Sequence, residues 1–166
     1  MEIYIVDSNF FIQAHRSIYP LDIATGFWNK VKQLANAGLI FSIDKVKDEL
    51  YDKNDELEEW CKNNLPENFF LDSSIALAEY GAVSSWAISK NSHYLPAALN
   101  EFLDAAEADA FLVAFALADF DNRIIITQEV SRPEQKNKIK IPEPCIALGV
   151  KYLNTIEMFR KLGETF

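Results

Sequence analysis

Four carboxylates occupy positions from which an α/β protein could hold a cation. Asp7 directly follows a short β-rich run, Glu2–Val6. Glu49 lies on the stretch after a second strand candidate, Asp109 on an alanine-rich apolar stretch, and Glu129 one residue beyond the run Arg123–Thr127. In open α/β sheets, ligands gather beyond the carboxyl ends of the strands. Acids at those ends, and on the helices that follow, are therefore the ones to weigh. Each also has a plainer reading. Asp7 can serve as a helix N-cap, and Glu49 can be an acid at the rim of a surface helix. Asp109 can belong to a buried salt bridge, and Glu129 can be a solvated loop acid.

Helical geometry separates these acids from their neighbours. At about 100° per residue, Glu49 falls roughly 60° from Val46, whereas Asp48 points about 160° away. Glu49 therefore borders the apolar face and Asp48 faces solvent. Asp109 shares a face with Leu112, Val113 and Ala116. An acid on the inner face of the most apolar helix needs a partner. Asp104 and Glu107 fall on the other side, as a D-x-x-E capping pattern at the helix entrance.

Three or four oxygen ligands of this kind match Mg²⁺ or Mn²⁺ and suit Zn²⁺ poorly. Such a cation would activate water, neutralise a scissile phosphate and steady the leaving oxygen. Thr127 brings a hydroxyl to the same edge. The segment Arg132–Lys140 carries Arg132, Lys136, Lys138 and Lys140 against one acid, Glu134. It is the best candidate for phosphate contacts, and its plainer reading is a solvated loop. Trp28, Trp60 and Trp86 fall at helical spacing to other apolar residues, which makes them core residues rather than base-stacking platforms.

Other chemistries find no support. There is no Gly-rich phosphate loop of Walker type. His15 and His93 are the only histidines, and neither sits in a nucleophile motif. A DxDxT phosphatase signature is excluded at the first strand, because Asn9 stands in place of its second aspartate. Cys61 and Cys145 lie far apart, without metal-ligand spacing, as two structural thiols of a reducing cytoplasm. No window approaches the ~18 apolar residues of a membrane span, and the start lacks the pattern of a secretory signal. The 166 residues fit one domain, residues 1–166. The net charge of −9 opposes non-specific attraction to a phosphate backbone. A nucleic-acid enzyme with this charge needs metal ions, a local basic strip, or both.

The elements that must position these residues alternate between strand and helix. Strands are expected at Glu2–Val6, Leu39–Ile43, Phe69–Leu71, Arg123–Thr127 and Gly149–Leu153. Helices are expected over Gly26–Asn36, from a cap at Asp44, over Asp55–Asn64, over Ser73–Lys90, over Ala97–Leu103 and over Asp104–Ala118. A last helix starts near Asn154, with Glu157 three residues on. The alternation argues for an α/β fold, a mainly parallel sheet of four to five strands with helices on both faces.

In order and spacing, three motifs resemble the PIN domain superfamily. They are Asp7-Ser8-Asn9-Phe10-Phe11-Ile12, Val46-Lys47-Asp48-Glu49-Leu50 and Asp109-Ala110-Phe111-Leu112-Val113-Ala114. Tyr19–Asp22 with Gly26-Phe27-Trp28, and Lys140-Ile141-Pro142 with Gly149-Val150, are similar to one bacterial and archaeal PIN-like branch, a domain of unknown function. The resemblance implies a three-layer α/β/α fold and a Mg²⁺- or Mn²⁺-dependent ribonuclease, often the toxin of a type II toxin–antitoxin pair. It implies an RNA substrate, a cognate antitoxin and a homodimer as partners. The family acids map onto Asp7, Glu49 and Asp109. The usual fourth acid directly follows a threonine, but here Gln128 follows Thr127 and Glu129 comes one place late. That departure leaves open a PIN-like module that binds RNA or protein without turnover.

Overall fold

The computed structural model describes residues 1–166. Five strands form one sheet: β1 (Ile3–Val6), β2 (Ile40–Ile43), β3 (Phe70–Leu71), β4 (Arg123–Ile126) and β5 (Lys151–Leu153). All four pairings are parallel, in the order β3-β2-β1-β4-β5. β1 lies at the centre, between β2 and β4. Tyr4–Val6 and Ile124–Ile126 are fully covered, as expected of strands buried on both faces.

The helices are α1 (Ser8–Gln13), α2 (Thr25–Asn36), α3 (Asp44–Leu50), α4 (Glu56–Asn64), α5 (Leu77–Ser89), α6 (Pro96–Phe102), α7 (Asp109–Leu117), α8 (Pro142–Leu148) and α9 (Thr155–Leu162). A five-residue π-turn, Ala14–Ile18, extends α1. From β1 the chain steps outward to β2 and β3, then returns across the sheet to β4 and β5. Right-handed crossovers then put α1–α4 on one face and α5–α8 on the other. The packing agrees: α1 meets α3 and α2 meets β2, while α7 meets α5, α8 and β4. The last helix, α9, returns to the first face, where Phe159 packs against Phe27 of α2.

Most expected elements form where their patterns put them, and four differ. Ile43 rather than Asp44 caps α3; Asp44 opens the helix and its carboxylate accepts from Ser73 N–H at 3.1 Å. The stretch from Ser73 begins as a 3₁₀ turn, Ser73–Ala76, before α5. The apolar helix starts at Asp109 and not at Asp104. Asp104 instead turns the chain by accepting from Ala106 N–H at 2.9 Å, since an Asp side chain serves an Asx turn as readily as a cap. A helix not anticipated, α8, begins on Pro142, whose missing N–H is harmless in a first turn. It ends at Gly149 in a left-handed conformation, φ 75°, so β5 is confined to three residues.

The start of α9 is as the pattern requires. Asn154 Oδ1 accepts from Glu157 N–H at 2.8 Å, and Glu157 Oε2 accepts from Asn154 N–H at 2.9 Å. Asn154→Ala removes half of this capping box and should cost about 1 kcal/mol. For a chain of this size that lowers the melting temperature by roughly 2–4 °C in a thermal scan; an unchanged transition would mean the box is idle.

Candidate metal centre

The sheet order makes β1 and β4 the neighbours from which the connections run in opposite directions. The crevice beyond their carboxyl ends is the ligand position of an open α/β sheet. Asp7 directly follows β1, and Thr127 directly follows β4. There an open cleft of about 480 Å³ is lined by residues that include Glu49, Asp109, Glu129, Ser8, Asn9 and Lys138.

Asp7 lies just before the lining residues Ser8 and Asn9, with 2% of its own surface exposed. Its Oδ1 caps α1 by accepting from Phe10 N–H at 2.8 Å, and its Oδ2 accepts from the Thr127 hydroxyl at 2.7 Å. The cap and the site reading therefore coincide in one side chain. Burial pushes the Asp7 carboxyl up to about 7; the two hydrogen bonds pull it down, and the charges of Glu129 and Glu49 raise it further.

Thr127 is 1% exposed, and its oxygen also accepts from Glu129 N–H at 3.1 Å. It cannot face a substrate as the sequence suggested; it holds Asp7 and orients the chain that carries Glu129.

The other acids come from three directions. Glu49 projects from α3, half-buried while Asp48 is exposed, and its Oε1 accepts from Ala108 N–H at 3.2 Å. That bond takes up an N–H just before α7, which has no side-chain cap of its own. Asp109 stands in the first turn of α7, where the helix dipole favours negative charge. Its carboxyl nevertheless lies well above the ordinary range. Burial is the main cause, followed by the charges of Glu129, Asp7 and Glu49, with only Lys138 opposing. Glu129 reaches the cleft from the loop after β4, and its Oε2 accepts from Ile141 N–H at 3.2 Å.

Asp7, Glu49, Asp109 and Glu129 thus act on one another through space, although they are far apart in sequence. Glu49 and Glu129 each spend one oxygen on a backbone N–H and keep the other unused by it. No three carboxylates stand close enough to share a cation as they are placed. The donor set is all oxygen, and two of its members, buried Asp7 and half-buried Asp109, have no ion pair. That chemistry fits a hard divalent cation, whose charge would offset the repulsion.

Sequence reasoning missed part of the lining. Asp48, exposed as its helical phase suggested, also lines the cleft, as do Asp52, Glu101 and Glu107. Glu107, assigned by pattern to a cap, is half-buried, and burial together with Glu49 raises its carboxyl. Its nearness to Glu49 comes from the turn before α7, which no periodicity reveals. Of the four basic residues in the loop after β4, only Lys138 lines this cleft; Arg132, Lys136 and Lys140 do not. Trp28 is core, as its spacing suggested, but Trp86 lines a second cleft.

The sequence matches the family model described as "Domain of unknown function (DUF4411)" over residues 4–166. No curated protein matches it. In structure the chain is similar to one in the crystal structure of VapBC2 from Rickettsia felis bound to a DNA fragment from their promoter. The two align with a TM-score of 0.53 and 15% identity over 92% of this chain and 98% of that one. The likeness concerns the fold, which is PIN-like: three layers around a parallel sheet.

Proposed function

The chain belongs to the DUF4411 family, and from the acidic cleft at the turning point of its sheet we propose a Mg²⁺- or Mn²⁺-dependent endoribonuclease. The observation that carries this reading is the gathering of Glu49, Asp109 and Glu129 around one cleft at the end of the sheet, with buried Asp7 directly after β1 and Asp7 and Asp109 held above their ordinary protonation range. Carboxylates buried against one another are unfavourable in a merely structural role. They are what a cation site requires.

In this reading Asp7, Glu49, Asp109 and Glu129 would hold the cation. A divalent ion bound there supplies a water of lowered pKa and charge to stabilise the pentavalent phosphate. The Thr127 hydroxyl keeps Asp7 in one rotamer, so its carboxylate is set before substrate arrives. Ala108 N–H and Ile141 N–H do the same for Glu49 and Glu129. Lys138 is the cation of the lining best placed to meet a phosphate oxygen, given its action on Asp109. Because the similar structure is of a VapBC2 assembly, a toxin role with a cognate antitoxin forms part of the proposal, as does action by residues 1–166 as one domain. Both thiols, Cys61 and Cys145, are free and buried, in keeping with a reducing compartment. No helix is long and apolar enough to cross a membrane.

A second reading, an RNA- or protein-binding module without turnover, is favoured by one observation. Both Asp7 oxygens are engaged by the protein, and Gln128 stands where the family's fourth acid is expected. Mn²⁺ calorimetry on the purified protein, paired with cleavage of varied single-stranded RNAs, separates the two. The nuclease reading expects a saturable site and Mn²⁺-dependent fragments that vanish with EDTA. Absence of both in wild type would leave only the binding module.

A further inference from the structure

A second cleft of about 480 Å³ opens away from the acids, between the end of α5, the turn after it, and α8. Its volume falls within the roughly 300–1,000 Å³ of small-ligand sites. The lining differs in kind from that of the acidic cleft. Trp86, His93 and Tyr94 supply aromatic surface, Ile146 and Pro133 apolar surface, and Lys90 a cation. Glu143 is its one carboxylate, and that group is held by Ser131 Oγ at 2.8 Å and Arg132 N–H at 2.6 Å.

The loop after β4 connects the two clefts. Pro133 forms part of the second, and five residues on Lys138 lines the first. Between them the loop is fastened to the turn after α5: His93 Nε2 meets Gln135 O at 3.1 Å, and Leu95 N–H donates to Lys136 O at 2.9 Å. Lys90, Arg132 and Lys136 therefore lie on or beside this cleft. The chain's four ion pairs involve none of them. In a protein of net charge −9, unpaired basic groups beside an aromatic cleft combine the two features that bind single strands, backbone attraction and base stacking.

We propose that this second cleft is a nucleobase subsite, which takes a base of single-stranded RNA while the strand's backbone follows the loop after β4 toward the acidic cleft. The subsite rests on the nuclease reading for its substrate class. It also answers the electrostatic difficulty of that reading, because the acidic cleft repels the strand and the attraction must come from beside it.

The test uses Asp109→Asn protein, so that RNA is not cut, titrated with a short oligouridylate and followed through the tryptophan indole N–H signals. The signal of Trp86 is assigned by its loss in Trp86→Phe. It is expected to shift on titration, while that of Trp28, bonded to Tyr19 O, stays in place. Lys90→Ala and Ser92→Glu, both at exposed positions, should each weaken affinity by about tenfold, and an abasic strand of equal length should bind more weakly than oligouridylate. An unmoved Trp86 signal, equal affinity for the abasic strand, or absence of RNA binding overturns the subsite. Unchanged affinity in both variants also overturns it. If Trp86 shifts but wild type cuts nothing in Mn²⁺, the nuclease reading fails and the subsite stands. Cleavage without a shift refutes the subsite alone.

Discussion

Asp109→Asn is expected to reduce Mn²⁺-dependent RNA cleavage by at least about 10²-fold and to eliminate saturable Mn²⁺ binding, with the fold intact. Asp109 is half-buried at the head of α7, and its ionised form is opposed by burial and by three neighbouring acids. The amide removes a charge that the protein alone does not compensate, so the EDTA-treated variant should melt at or above the wild-type temperature. That pairing of lost function with retained or raised stability distinguishes a site acid from a structural one. Removing one partner of a structural buried ion pair typically costs about 3–5 kcal/mol. Full cleavage activity in a purified, folded Asp109→Asn protein would sink the nuclease reading.

The second large effect is a stability that falls as pH rises. Asp7 titrates at about 7 in the folded protein against an ordinary value of 3.8, so between these limits the folded state binds more protons than the unfolded chain. Stability then decreases with pH across that window. It is fully present below about 4 and lost by the time pH has passed 7. A tenfold change in proton affinity is equivalent to about 1.4 kcal/mol, which sets a ceiling from Asp7 of roughly 4 kcal/mol. A loss of about 2–4 kcal/mol is therefore expected between pH 5 and pH 8. Asp109 acts in the same direction. In EDTA the melting temperature should thus be roughly 5–15 °C lower at pH 8 than at pH 5. Saturating Mn²⁺ should narrow the gap by stabilising the ionised site, about 2.7 kcal/mol at a hundred times its dissociation constant. A flat pH profile in EDTA would show that the two acids are not buried as described. The Asp7→Asn variant should lessen the slope to the share that Asp109 contributes, since Asn keeps the cap.

Much of the architecture was legible in the sequence because the buried elements carry strong patterns. The continuous Ile124–Ile126 run and the all-round apolar α7 have few alternatives to a covered strand and a buried helix. The places of Asp7 after β1, Glu49 on α3 and Asp109 on α7 were legible because strand ends and helix faces follow from those patterns. What escaped lies in the turns. The pair Asp104 and Glu107 reads as a cap, yet the chain bends there and swings Glu107 into the cleft. Thr127 looked like a group for a ligand, and only the register of β1 against β4 shows that its hydroxyl meets Asp7. The helix α8 escaped because a proline-bearing first turn and an interruption look alike in sequence. Trp86 was counted as core on spacing alone; it packs against Tyr94 and Phe102 with one side and walls the second cleft with the other.

The loop after β4 touches both clefts and is tied to its surroundings mostly through backbone atoms: Gln135 O, Lys136 O, Arg132 N–H and Ile141 N–H. Main-chain ties survive substitution of the side chains they carry. Evolution, or a designer, can therefore rewrite the residues between Ser131 and Lys140 while the sheet keeps Asp7 and Thr127 in register. Divergence among chains of this family should then concentrate in that loop, with chemistry inherited and preference redrawn.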